Sequence, residues 1–176
     1  MKTASTGRPK RFCGQRCRKA SNRSFGVPAE LRQKRRWVRH LDKRPLTIGS
    51  HPASVTNPDT WASFDEAKAS KAGNGLGFVL GAGIGCLDFD HVIGAKGLHP
   101  SVRALLEELP STWIEVSPSG DGLHVWGHLP EGGGRVFFKD GVKIERYSRG
   151  RYITVTGNRF EAAPLQLADL SQVLSW

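Results

Sequence analysis

Cys86-Leu87-Asp88-Phe89-Asp90-His91 places two carboxylates two residues apart at the end of an apolar run. On a strand, whose side chains alternate with a period of two, Asp88 and Asp90 project from one face while Leu87 and Phe89 bury on the other. Cα atoms so spaced lie about 6.5–7 Å apart, and their carboxylates can share one divalent ion or bridge two ions roughly 3.5–4 Å apart. Oxygen donors of this kind suit magnesium or manganese, not zinc. An Asp-x-Asp also occurs in surface turns. In an apolar strand, however, two uncompensated carboxylates are costly, and a bound ion would offset that cost.

Two further stretches carry groups that handle phosphate. Ser117-Pro118-Ser119-Gly120-Asp121-Gly122-Leu123-His124 is a Gly/Ser turn running into a strand that presents His124. Backbone N–H groups around Ser119 and Gly120 can cradle phosphate, and His124 can donate to it. Taken alone, a histidine such as His124 is more often a hydrogen-bonded core or surface residue than a ligand contact. Further on, Lys143-Ile144-Glu145-Arg146-Tyr147 leads to Arg149-Gly150-Arg151-Tyr152. Glu145 would be a third strand carboxylate and Arg151 a fork for phosphate oxygens, unless the segment is a surface ladder of ion pairs.

The elements that must hold these groups are short. Strands are expected at Arg36 to Val38, followed by a Lys43-Arg44-Pro45 turn, and over 76–80, 84–90, 112–117, 123–127, 142–147 and 151–156. Asn57 as cap with Pro58 at the first helical position predicts a helix carrying Trp61, Phe64 and Ala67 as far as Gly73. Pro100 starts a second, whose Val102, Leu105, Leu106 and Leu109 form one apolar stripe before Pro110. Leu167 to Trp176 reads as a short closing helix. Gly75, Gly77, Gly81, Gly83 and Gly85 run into another strand and not into the helix that would hold a pyrophosphate, so they read as a hairpin and not as a dinucleotide loop. Strands and helices are mixed without regular alternation, which predicts an α+β sandwich.

The charge is uneven. Over 176 residues the net charge is +10, yet residues 1–44 hold 15 basic and 2 acidic side chains while 45–176 hold 11 basic and 14 acidic. Lys10, Arg11, Arg16, Arg18, Lys19, Arg23, Arg32, Lys34, Arg35, Arg36 and Arg39 belong to this basic stretch. Residues 1–35 are accordingly expected to be a disordered basic arm ahead of a folded domain at 36–176. Such an arm neutralises nucleic-acid phosphates, or serves only to keep the chain in solution. Within it, Phe12-Cys13 and Cys17-Arg18 look like the second half of a small zinc ribbon whose first Cys pair is absent. Two thiolates do not complete a four-coordinate zinc shell, which leaves free thiols or a remnant site. No secretory signal and no membrane-spanning run is visible, and three cysteines make no disulfide framework, so the cytoplasm is the expected compartment.

In order and spacing, Trp37...Lys43...Pro45, Asn57-Pro58...Thr60-Trp61, Gly77-Phe78-Val79-Leu80, Asp88-x-Asp90, Ser117-Pro118-Ser119-Gly120-x-Gly122-Leu123-His124 and Glu145...Arg151-Tyr152-Ile153-Thr154-Val155-Thr156-Gly157 resemble a known family. It is the archaeo-eukaryotic primase superfamily, in particular the primase-polymerase (Prim-Pol) domains of phages and plasmids. The resemblance implies a primase-polymerase core with an RRM-like sheet and an N-terminal αβ unit. It implies that Asp88, Asp90 and Glu145 are catalytic and hold Mg2+ or Mn2+, that His124 contacts the nucleotide's phosphates, and that Arg151 lies near the triphosphate. The implied activity is synthesis of primers or DNA on a single-stranded DNA template from NTPs or dNTPs, in the host cytoplasm where the element is a phage. Domains of this family sit beside a helicase or a helical primase C-terminal region, so a separate partner of that kind is expected. Two other readings stay open: a catalytically silent DNA-binding replication accessory, and a replication-initiator nuclease using Tyr147 or Tyr152. The nuclease would usually need a His-hydrophobe-His triplet, and His124 to His128 has the wrong spacing.

Overall fold

Trp37 sets the frame of the domain. In a computed structural model, which describes residues 26–175, this strand residue is fully buried. Its indole N–H donates to the Leu31 carbonyl at 3.0 Å, and its ring meets Phe64 and Phe78 edge-on. Cys13, Cys17 and the basic residues up to Arg23 lie outside the described residues.

The described residues form two main sheets, antiparallel but for the parallel pair β12–β8, in keeping with the α+β expectation. In the first, β1 (Trp37–Leu41) lies between β2 (Arg44–Leu46) and β3 (Gly75–Val79), and β3 also pairs with β11 (Tyr152–Val155). In the second, the order is β12 (Ala168–Asp169), β8 (Leu123–His128), β4 (Ile84–Phe89), β10 (Val142–Tyr147) and β9 (Arg135–Lys139). The short β7 (Ile114–Val116) shares the β12 edge of β8. A small ribbon of β5 (Ile93–Gly94) and β6 (Gly97–Leu98) follows β4.

The central strands β4 and β8 of the second sheet bury side chains on both faces. Ile84, Cys86 and Trp126 point into a core shared with the first sheet, where Phe78 and Trp113 pack on them. Leu87, Phe89, Leu123, Val125 and Ile144 point the other way, onto α3 (Pro100–Glu107) and the turn of 3-10 helix Ser171–Ser175. Val102 and Leu105 of α3 are buried and Leu106 and Leu109 half-buried, as the expected stripe requires.

Several expectations change. The glycine run makes a hairpin turn, in which Gly81 and Ile84 exchange both backbone hydrogen bonds, but the pairing ends there, and β3 and β4 belong to different sheets. Gly81 and Gly83 have positive φ, and a Cβ on Gly81 would meet the Arg36 guanidinium at 2.5 Å, so the chain turns tightly under that side chain. The first helix is broken in two. Asn57 caps only the 3-10 turn Pro58–Thr60, and Ala62 then pairs with Trp37 as extended backbone. Ser63 and Glu66 next form a capping box that starts α2 (Phe64–Ala69). The β1–β2 turn falls at Asp42-Lys43, both with positive φ, which frees Arg44 and Pro45 for β2. At the C-terminus, β12 and the 3-10 turn replace the expected helix.

The folded region also starts before residue 36. Helix α1 (Ala29–Gln33) packs Leu31, with Val27 just ahead of it, into the core beside Trp37. Arg35 pairs with Glu66 at 2.7 Å, Arg36 donates to the Val79 and Leu80 carbonyls at 2.7 Å, and Arg39 donates to the Ala72 carbonyl at 2.6 Å. Arg36 and Arg39, read from the sequence as part of a phosphate-binding arm, thus hold the fold. Among the described residues no helix is long and apolar enough to cross a membrane.

Candidate active site

Asp88 stands directly opposite Glu145 of β10 on one side and His124 of β8 on the other. The pairing continues outward, from Glu145 to Val136 of β9 and from His124 to Glu115 of β7. Directly opposed residues of antiparallel neighbours project from the same face, on strands about 4.8 Å apart. Val136, Glu145, Asp88, His124 and Glu115 therefore form one rank across the sheet. Asp90, one residue past the end of β4, is exposed.

Toward Trp126 and Cys86 this face is covered by the first sheet. At the rank the two sheets part, and a cleft of about 700 Å³ opens, within the range of small-molecule sites. Asp88, Asp90 and His124 line it from the second sheet, and His40, Lys43 and Tyr152 from the first. Arg151 lines it from the segment that carries the chain from β10 to β11, with its guanidinium 4.1 Å above the Tyr147 ring.

The carboxylates differ in surroundings. Burial holds the Asp88 carboxyl above its usual range, and the nearby Asp90 and Glu145 charges add to this while His124 opposes it. Glu145 is held below its usual range by hydrogen bonds from Lys143 and Tyr147, both at 2.5 Å. Burial, with that hydrogen bond to Glu145, pushes the Tyr147 phenol up to about 12. Lys143 is raised in turn by its bond to Glu145, with the charges of Asp90 and Asp88 contributing. The donors fit a hard cation in kind and in register. They are not drawn together, however: Glu145 is turned to Lys143 and Tyr147 and does not line the cleft. No group of three His, Cys, Asp or Glu side chains among the described residues converges on one point.

The Ser117 to Gly122 turn is placed at the cleft but is partly occupied with itself. Ser119 lines the cleft, shares a hydrogen bond with Ser117 at 2.9 Å and donates to Asp121, which also meets His91 at 2.6 Å. Gly120 has positive φ, donates its N–H to the Ser117 carbonyl at 3.0 Å and does not line the cleft. Ser117 to Ser119 thus line the cleft, but the Ser117 and Gly120 N–H groups serve the turn and Pro118 has none to offer.

Two residues at this site were not singled out from the sequence. Glu115 is fully buried beside His124. Its signal was a charged residue in the inward-facing series of an otherwise apolar strand. His40 is half-buried at the cleft wall, and its Nδ1 has no hydrogen-bond partner. Burial, with Arg39 nearby, lowers its pKa. No local pattern marked it.

No protein-family model matches the chain. A curated relative from Nitratiruptor phage NrS-1, named DNA primase-polymerase, is 39% identical over 140 residues, which is 71% of this chain and 19% of the relative. The chain thus spans about a fifth of the length of that relative. This similarity, with the motifs and their placement, supports a primase-polymerase (Prim-Pol) domain.

Proposed function

We propose that this chain is a nucleotidyl-transferring domain that makes primers or DNA on single-stranded DNA from NTPs or dNTPs, with Mg2+ or Mn2+, for a mobile element such as a phage. The observation that carries the reading is the in-register row Glu145, Asp88 and His124, of which Asp88 and His124, with Asp90 beside them, line a nucleotide-sized cleft.

Asp88 and Asp90 would hold the ions, joined by Glu145 once it turns away from Lys143. When bound, paired divalent ions supply activation of a 3′-hydroxyl and stabilisation of the departing pyrophosphate. The side chains then have defined tasks. His124 and Arg151 present nitrogen donors to the β and γ phosphate oxygens, and Ser119 adds a hydroxyl at the cleft rim. Val136 and Phe138 continue the face that bears Glu145 and Lys143, and Phe138 is 70% exposed. An open aromatic ring on this face suits a stacked base of a single strand. The basic residues 1–25 would grip template phosphates, and a helicase or primase C-terminal partner would work beside this domain.

The test is incubation with primer-free single-stranded DNA, labelled NTPs or dNTPs, and magnesium or manganese, followed by product sizing. Oligonucleotide products support priming, extension of a supplied primer alone supports a polymerase, and no product in either arm overturns the reading. Asp90→Asn, at an exposed position, should abolish synthesis without lowering the melting temperature. Full activity in that variant removes the carboxylates from the chemistry.

A further inference from the structure

We infer that Glu115 is the positioning residue for His124, holding the imidazole so that its Nε2 is presented at the Asp88 side of the cleft. The inference rests on the reading of His124 as a phosphate contact.

Glu115 is 0% exposed, and a carboxylate in such a place is very unfavourable unless its oxygens are fully hydrogen-bonded. They are. Oε2 accepts from the Thr156 and Gly157 backbone N–H groups at 3.0 and 2.9 Å and from the Thr156 hydroxyl at 3.0 Å. Oε1 faces the Trp126 indole N–H at 3.3 Å and His124 Nδ1 at 3.2 Å. One oxygen is thus clamped by the segment after β11, and the other is aimed at the histidine. Among the described residues its one ion-pair partner is His124, with no Lys or Arg in reach.

A purely structural carboxylate would need no particular ring beside it. Here the ring is fixed on both sides. Glu115 calls for a proton on Nδ1, and the Trp126 ring packs edge-on against the imidazole at 6.4 Å. On the far side, Nε2 lies 3.8 Å from Asp88 Oδ1, too far for a hydrogen bond. No direct hydrogen bond between protein groups occupies Nε2, then, and it sits beside the carboxylates where an incoming triphosphate would be read. The outer partner of a functional histidine sets the ring's orientation in the same way elsewhere.

The test compares Glu115→Gln, His124→Ala and the double variant in the full chain, by the KM for triphosphate, the KM for template, kcat and the melting temperature. Each single variant should raise the triphosphate KM by about tenfold or more and leave the template KM in place. The double variant should be no worse than His124→Ala. Multiplied losses in the double variant, or a Glu115→Gln that lowers the melting temperature with the triphosphate KM unchanged, overturn the inference. If His124→Ala leaves the triphosphate KM unchanged, the phosphate reading of His124 fails first. Histidine 15N spectra of the unmutated protein need neither activity nor a folded variant. A His124 proton on Nδ1 supports the inference, and a ring with its only proton on Nε2 overturns it.

Discussion

Asp88 and Glu145 face each other in register across β4 and β10, a pair of carboxylates at adjacent positions of one sheet face. Like charges directly opposite weaken a sheet. The protein compensates one of them, through the Lys143 and Tyr147 hydrogen bonds to Glu145. Asp88 is left largely buried, with His124 Nε2 3.8 Å from its Oδ1 and no hydrogen bond between them. This asymmetry marks where a cation would be most strongly drawn.

It also has a measurable consequence for stability. Because burial and the neighbouring carboxylates raise the Asp88 pKa in the folded state, the folded protein binds that proton more tightly than the unfolded chain. The Asp88 contribution is thus most favourable below the ordinary carboxylate pKa, about 3.9, and is lost as pH rises through the raised folded value. In chelator-treated buffer, Asp88→Asn should melt close to the parent at about pH 4 and increasingly above it toward neutrality. A variant less stable than the parent at neutral pH would mean that the folded site favours the charged carboxylate.

Lys143 offers a second handle. Its ammonium sits on Glu145 at 2.5 Å in a pair whose lysine side chain is 47% exposed, so Lys143→Ala should leave the melting temperature nearly unchanged. With the competing cation gone, the manganese concentration giving half-maximal synthesis should fall. An unchanged manganese requirement would separate Glu145 from ion binding.

Phe138 and Val136 are 70% and 55% exposed on the same face. Phe138→Ser removes little packing, so the melting temperature should hold. The loss of a stacking ring should weaken single-stranded DNA binding by about 1–3 kcal/mol, read by fluorescence anisotropy. Unaltered affinity would take the strand off this part of the sheet.

Truncation distinguishes the charged segment from the fold. Residues 1–25 carry 8 of the basic side chains, and their removal should flatten the salt dependence of DNA binding, with a slope change of about 0.7 per lost phosphate contact. Removal through residue 35 also deletes Val27 and Leu31, 1% and 0% exposed in the core, and should lower the melting temperature well below that of the shorter truncation. An equal salt slope in the parent and the 1–25 deletion would move the DNA site onto the domain.

Local pattern carried much of this architecture. The alternation in Leu87-Asp88-Phe89-Asp90 set which side chains bury. The stripe on α3, the cap at Asn57 and the helix start at Pro100 were also legible, because each depends on neighbours a few residues away. β9 was not anticipated, although Asp140-Gly141 between Arg135–Lys139 and Val142–Tyr147 is a hairpin signal, with positive φ at both turn residues. The break between Thr60 and Phe64 was hidden for another reason. It exists because Ala62 pairs with Trp37, a partner 25 positions away in the chain.

By itself, the sequence determined the kinds of groups available and their order: paired aspartates on a strand, a histidine after a Gly/Ser turn, a glutamate and an arginine further on. Tertiary structure alone decided that Glu145, Asp88, His124 and Glu115 stand in one rank, since register between strands is set by long-range pairing and not by any strand's own pattern. It also decided that β3 and β4 part into separate sheets and so open the cleft, and that Arg36 and Arg39 bind backbone carbonyls instead of phosphate. A guanidinium has the same charge in an arm as in a core, and only the groups folded around it determine which partner it takes.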